Sequence, residues 1–257
     1  MLKNYLCLFF FVPAFFSVSS AQEIVEVEFL QSRSKSDLVE LYGLFVQNGV
    51  DLYRVLYTTR DLEAQRDTAS GLLVVPIAEE ETMPLLVYQH GTVSAKDDVP
   101  SQLAGGYQLA ELGGALGYIS LAPDFLGLGN SRGFHPYVHA ASEAWVAVDM
   151  LKAVKPYLPQ LNVQANEQLF LTGYSQGGHA AMALHRELEL NYPDEFPVTA
   201  AAHLSGPYSI SGEMKNLFLG EDPYEYPSYL AFAILSYDAA YGLFDDLTEY
   251  FDPAFAN

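Results

Sequence analysis

Apolar and polar positions along the chain fall into two regimes. In the first, residues 24–29, 52–57 and 70–76 read as strands, and the polar stretch 61–68 between the last two reads as a hairpin loop. A helix is predicted over residues 37–46, with Ser36 as its N-cap. In the second regime short, wholly apolar runs alternate with helical periodicity. Strands are predicted at 85–89, 118–122, 169–172 and 198–204. Helices are predicted at 102–112, broken by Gly113-Gly114, at 144–154, unable to pass Pro156, and at 176–190, stopped before Pro193. Strands that are apolar on both faces and alternate with helices predict an α/β fold: a mostly parallel sheet with helices on both faces. Ligands in such sheets bind beyond the carboxyl ends of the strands. His90, Asp124 and Ser175 all follow strand ends directly.

Two segments stand apart from this alternation. Lys3 precedes an apolar run over residues 5–18 closed by Ser19-Ser20-Ala21, the pattern of a secretory signal peptide (residues 1–21) cut after Ala21. The run is short for a membrane span, although an uncleaved N-terminal anchor competes with the signal reading; the expected location is secreted or periplasmic. The single cysteine, Cys7, lies inside this segment, so the remainder has no thiol for a disulfide, a nucleophile or a metal. Residues 224–255 are crowded with aromatic side chains, and 230–244 read as a helix. The expected organisation is a signal over 1–21, a core over 22–212 and a separate aromatic segment over 213–257.

Among 257 residues, 32 are acidic and 12 basic, for a net charge of −20. That surface repels phosphate backbones, so nucleic acid is not an expected partner. It does not bear on an uncharged small-molecule substrate.

The chemistry concentrates at Gly173-Tyr174-Ser175-Gln176-Gly177, a G-x-S-x-G pentapeptide followed by Gly178. A nucleophilic serine on a sharp strand-to-helix turn needs small neighbours, because side chains there would strike the adjacent strand and helix. The turn lifts the hydroxyl clear of the sheet and aims the Gln176 N–H at the reacting oxygen, near a helix N-terminus that favours negative charge. Gly129-Asn130-Ser131-Arg132-Gly133 matches the same pattern. Ser131, however, sits in a glycine-rich loop with Pro136 soon after, whereas Ser175 has a strand directly before it and an unbroken helix after. Ser175 is the candidate nucleophile. The second oxyanion donor is expected after strand 85–89, at His90-Gly91-Thr92: the Thr92 N–H donates, Gly91 lets the backbone turn in closely and His90 braces the loop. His135 and His139 have i, i+4 spacing, but Pro136 between them spoils a helical zinc motif, and no metal is expected. His179 and His185, on the helix after Ser175, are expected to pack structurally, and Asp124 to stabilise its turn.

Gln89-His90-Gly91-Thr92, residues 123–129, Gly173-Tyr174-Ser175-Gln176-Gly177-Gly178 and Ser205-Gly206-Pro207-Tyr208, in this order, resemble the α/β-hydrolase superfamily, and within it the secreted lipase and esterase branch. The resemblance covers roughly residues 52–212. It implies carboxylic-ester hydrolysis through an acyl-enzyme on Ser175, with no cofactor. The fold orders its triad as Ser, then Asp or Glu, then His. The last histidine here is His203, at the end of the strand after the Ser175 helix, so the acid and the base are expected beyond Asn257 and this chain is expected to be nearly inactive. Two rivals stay open: a serine peptidase of the prolyl-oligopeptidase or dipeptidyl type on the same fold, and a non-catalytic binding protein that keeps the pocket.

Overall fold

Seven strands form one sheet in the order β1-β2-β3-β5-β4-β6-β7 in a computed structural model that describes residues 22–221 and 223–256. The strands are β1 Ile24–Arg33, β2 Gly49–Arg60, β3 Arg66–Ile77, β4 Thr82–Gln89, β5 Ile119–Pro123, β6 Gln164–Tyr174 and β7 Val198–Leu204. The signal segment read over residues 1–21 lies outside the described residues. Neighbours β5, β4, β6 and β7 are parallel, while β1–β2, β2–β3 and β3–β5 pair antiparallel. Five strands therefore share one direction, and β1 and β3 oppose them.

The helices are α1 Lys35–Tyr42, α2 Gln108–Ala115, α3 Ala140–Val154, α4 Gln176–Asn191, α5 Lys215–Phe218, α6 Pro227–Tyr241 and α7 Pro253–Ala256. One face of the sheet buries Leu73, Val87, Leu121 and Leu171 together with Val146, Met150 and Leu184 from α3 and α4. The other buries Val50, Leu52, Leu72 and Val74 together with Leu38 of α1 and Ala110 and Ala115 of α2. Alternate residues of β3 thus serve opposite cores, as a strand's period of two requires.

Two expectations are corrected. The first helix is capped by Ser34, not Ser36: the Ser34 hydroxyl accepts from the Asp37 N–H, the Asp37 carboxylate accepts from the Ser34 N–H, and the helix ends at Tyr42 rather than Val46. The reciprocal box needs an acid three residues after the cap, which Ser34 has. The second helix is not broken by Gly113-Gly114 but contains both. A Cβ on Gly113 would lie 2.5 Å from Leu86 Cδ2 and from Ser120 Oγ, and one on Gly114 2.5 Å from Val74 Cγ1. These glycines let α2 lie close on the sheet, a packing demand that outweighs their poor helix propensity of about 1 kcal/mol.

One buried acid gives the fold a pH dependence. Asp149 of α3 accepts a hydrogen bond from Thr59 Oγ1 at 2.7 Å, and burial lifts its pKa to about 6. The unfolded value is about 3.9. The folded chain therefore holds a proton that the unfolded chain has released, and stability falls as pH rises from about 4 to about 6. Asp149→Asn keeps an acceptor for Thr59 and removes the penalty. It should stabilise the protein by on the order of 2 kcal/mol at pH 8 and change little at pH 4. Thermal unfolding at the two pH values checks this; equal shifts at both would contradict it.

Candidate active site

The carboxyl ends of β4 and β6 lie side by side, with Gln89 in register with Gly173. Just past that pair the chain turns from β6 into α4 through Ser175, whose φ of 58° and ψ of −123° leave the ordinary regions open to a residue with a side chain. Such a conformation costs about 1–3 kcal/mol and persists only where the surroundings enforce it. They do so here: the Ser175 N–H donates to the Leu204 carbonyl at the end of β7, at 2.9 Å, and the Ser175 carbonyl accepts from Gly178 and His179 in the first turn of α4. Ser175 is half-buried, and among the described residues no side chain hydrogen-bonds its hydroxyl.

The glycines around it are required by contact. A Cβ on Gly177 would collide with the Gln89 carbonyl oxygen and lie 2.7 Å from that of His90; one on Gly173 would collide with the Gly177 carbonyl. Gly91 differs: its Cβ would meet only the Tyr174 carbonyl oxygen, at an ordinary 3.5 Å. No protein atom forces glycine there.

The loop after β4 reaches this elbow. The ring nitrogens of fully buried His90 lie 2.8 Å from the Gly91 carbonyl oxygen and 3.2 Å from that of Asp124, which ties the β4 loop to the β5 loop. Asp124 itself is buried, accepting from Ser70 Oγ at 2.5 Å and from the Ser101 N–H at 3.0 Å, as a turn-stabilising acid does. Thr92 shares a hydrogen bond between its Oγ1 and the Tyr137 hydroxyl, at 3.1 Å. Among the described residues, the backbone N–H groups of Thr92 and Gln176 are spent on no other acceptor. A cavity of about 440 Å³ opens beside Gly91, Thr92 and Tyr174. A larger one, about 560 Å³, is lined by Arg60, Trp145 and Lys152 and shares no residue with the elbow.

Beneath Gln176 lies a buried polar chain that sequence reasoning did not find. The Gln176 side-chain amide donates to Glu143 Oε1 at 3.1 Å and to His135 Nε2 at 2.8 Å. His135 donates from Nδ1 to the Leu126 carbonyl at 2.8 Å, and His179 donates from Nδ1 to Glu143 Oε2 at 2.6 Å. Burial depresses the His135 pKa to about 4, so at neutral pH its Nε2 is free to accept. The available signal was Glu143 itself, an acid in the first turn of a helix that is otherwise largely apolar on its sheet-facing side. The remaining histidines lie elsewhere: His139 caps α3 and meets Tyr241 of α6 at 3.0 Å, and His185 and His203 face each other at 3.0 Å.

Ser131, the competing motif serine, is fully buried. Its hydroxyl donates to Asp67 Oδ2 at 2.7 Å and accepts from the Gly127 N–H at 3.1 Å. Ser131→Ala should cost about 1–3 kcal/mol of stability, because it strips buried Asp67 of a donor. Denaturant titration checks this; an unchanged midpoint would contradict it.

The aromatic segment covers this end of the sheet. Ser236 of α6 accepts from the Tyr137 N–H at 2.7 Å and donates to the His135 carbonyl at 3.1 Å, and the rings of Tyr229 and Phe232 pack on Tyr137.

A mixed sheet with helices on both faces and a strained serine between β6 and α4 is the architecture of the α/β-hydrolases, and the solved structures the chain resembles are esterases, lipases and hydrolases of that fold. It is similar to the rice cell-wall-degrading esterase LipA from Xanthomonas oryzae, at 28% identity and a TM-score of 0.84, over 91% of this chain and 64% of that one. A protein from Legionella pneumophila described as a hydrolase is 31% identical at a TM-score of 0.82, over 91% of this chain and 65% of its own. Lipase A of Candida antarctica, 18% identical at a TM-score of 0.59 over 84% of this chain and 49% of that one, shares the fold. The chain thus spans about two thirds or less of the length of these proteins. No protein-family model matches it.

Proposed function

We propose that Ser175 is the nucleophile of a serine hydrolase that cleaves carboxylic esters through an acyl-enzyme. The observation that carries this reading is the Ser175 backbone: strain is retained at a half-buried serine with an uncommitted hydroxyl, on a turn whose flanking glycines admit no side chain. Ser175 Oγ attacks the ester carbonyl, and the N–H groups of Gln176 and Thr92 hold the oxyanion, each worth roughly 2.7–4 kcal/mol of barrier. His90 and Gly91 support the loop that carries Thr92. The similarity to the Xanthomonas esterase speaks for esters over peptides.

No histidine among the described residues hydrogen-bonds Ser175 Oγ. In keeping with the fold's chain order of Ser, then acid, then His, we assign the base and its acid beyond Asn257, and residues 22–257 alone should turn over little substrate, since a serine without its base is weakly nucleophilic. Residues 22–212 are assigned as the core and 213–257 as the start of a cap. An apolar groove of about 290 Å³ between Ile210, Phe218, Leu230 and Phe244 shares no residue with the Ser175 elbow. Residues 1–21 are assigned as a signal peptide, making the enzyme secreted or periplasmic; no helix among the described residues is long and apolar enough to cross a membrane.

The test uses the full-length protein. It should hydrolyse p-nitrophenyl acyl esters but not aminoacyl-anilides, and a fluorophosphonate probe should label Ser175. Preference for the anilides would turn the assignment to a peptidase, and absence of both turnover and labelling would turn it to a binding protein.

A further inference from the structure

The segment between β5 and α3 touches both proposed oxyanion donors, from two neighbouring side chains. His135 accepts from the Gln176 amide at 2.8 Å, and Tyr137 shares a 3.1 Å hydrogen bond with Thr92 Oγ1. Each donor residue is thus held by its side chain while its backbone N–H stays uncommitted. The segment is itself held from three sides. Phe125 stacks on the His135 ring, with centroids 5.9 Å apart and planes within 10°. The Leu126 carbonyl takes the His135 Nδ1–H at 2.8 Å. From the cap, the Ser236 hydroxyl accepts the Tyr137 N–H and donates to the His135 carbonyl.

The amide nitrogen of Gln176 is fully used, while its oxygen is buried without a hydrogen-bond partner among the described residues. The Gln176 amide has two N–H bonds, and two acceptors face it, His135 Nε2 and Glu143 Oε1. Turning the amide round would set its oxygen against the Glu143 carboxylate, so one orientation is selected. The side chain of Gln176, the first residue of α4, cannot rotate without breaking two hydrogen bonds, the one to Glu143 fully buried. The Tyr137 hydroxyl, whose pKa burial pushes up to about 12, stays protonated and able to bond Thr92.

We propose that His135 and Tyr137 are positioning residues that hold the Gln176 and Thr92 backbone amides in the geometry of the oxyanion. This rests on the ester-hydrolase reading of Ser175. Neither residue touches the substrate: each acts through the residue it bonds. A donor displaced by a fraction of an ångström stabilises the developing charge less while leaving substrate binding alone, so the loss falls on kcat.

The experiment measures kcat and KM of the full-length protein on p-nitrophenyl butyrate. Tyr137→Phe and Thr92→Val each delete one half of the same hydrogen bond and leave the Thr92 N–H in place. Each should lower kcat about three- to tenfold with KM unchanged, and the double variant should be no worse than either single one. His135→Phe keeps the stacked ring and deletes the acceptor. It should lower kcat about ten- to a hundredfold, and Gln176→Met should absorb that loss non-additively. Unfolding curves report which variants are folded; should His135→Phe not fold, the Tyr137–Thr92 pair still decides. Multiplicative losses, losses that appear in KM, or kcat within 1.5-fold of the parent would overturn the proposal. If those results came with an inactive Ser175→Ala, the hydrolase reading would stand and only the positioning roles would fall. If Ser175→Ala kept turnover, both would fall.

Discussion

Replacing Ser175 by alanine in the full-length protein should lower kcat for an activated ester by roughly 10⁴- to 10⁶-fold, with KM changed by no more than a few-fold. The magnitude follows from what the hydroxyl contributes. Without it no acyl-enzyme forms, and the residual rate is what binding and two oxyanion donors supply to attack by water. On the logarithmic scale of barriers that loss is about 5–8 kcal/mol. Stability should move the other way. Alanine tolerates φ of 58° no better than serine, so the strain stays, but a half-buried hydroxyl with no partner among the described residues is removed. A small gain in Tm beside a collapse in kcat would mark Ser175 as a residue maintained for chemistry. Steady-state kinetics and a melting curve on the same preparation settle it. Turnover within tenfold of the parent would remove Ser175 from the mechanism, and the Gln176 and Thr92 roles with it.

The parts of this architecture legible in the sequence were those set by local rules. The elbow could be read because glycine at 173, 177 and 178 around a serine, between an apolar strand and an unbroken helix, satisfies one steric demand. The β7 boundaries, Val198–Leu204, came out as read because polar or turn residues close both ends of an apolar run. Ser131 could be set aside on the same grounds, since a proline-bearing loop follows it where the elbow needs a helix. What could not be read depends on tertiary contact. Gly113 and Gly114 look like breakers until Leu86, Ser120 and Val74 are found against them. The antiparallel placement of β3 beside β5 is decided by where the chain returns, not by the pattern of either strand. The Glu143 network joins residues 135, 143, 176 and 179 from a loop and two helices, and only the packing of α3 on α4 makes its side chains neighbours. In each case the sequence supplies side chains whose meaning is their partner.

Gly177→Ala should be among the most disruptive single-methyl additions in the molecule, and the argument has to overcome a helix preference of the opposite sign. Gly177 is the second residue of α4, where alanine is favoured over glycine by up to about 1 kcal/mol. The added methyl, however, would overlap the Gln89 carbonyl oxygen and come within 2.7 Å of that of His90. Both are backbone atoms at the end of β4, a central strand paired to β5 and β6, so they cannot swing aside as a side chain would. Relief requires moving α4 off the sheet or the β4 end away from the elbow. Overpacking of this kind costs about 1–3 kcal/mol, more where only backbone can yield, so the overlap wins and the net loss should be about 2–4 kcal/mol. In a protein of this size that is a fall in Tm of roughly 5–15 °C. The displaced atoms lead directly into Gly91 and Thr92, so kcat should fall in the variant even at temperatures where it is fully folded. Gly91→Ala is the internal control. Its methyl would make only the 3.5 Å contact with the Tyr174 carbonyl oxygen, and Tm should stay within a few degrees of the parent. Equal melting temperatures for the two variants would show that the close approach of α4 to β4 does not hold the elbow in place.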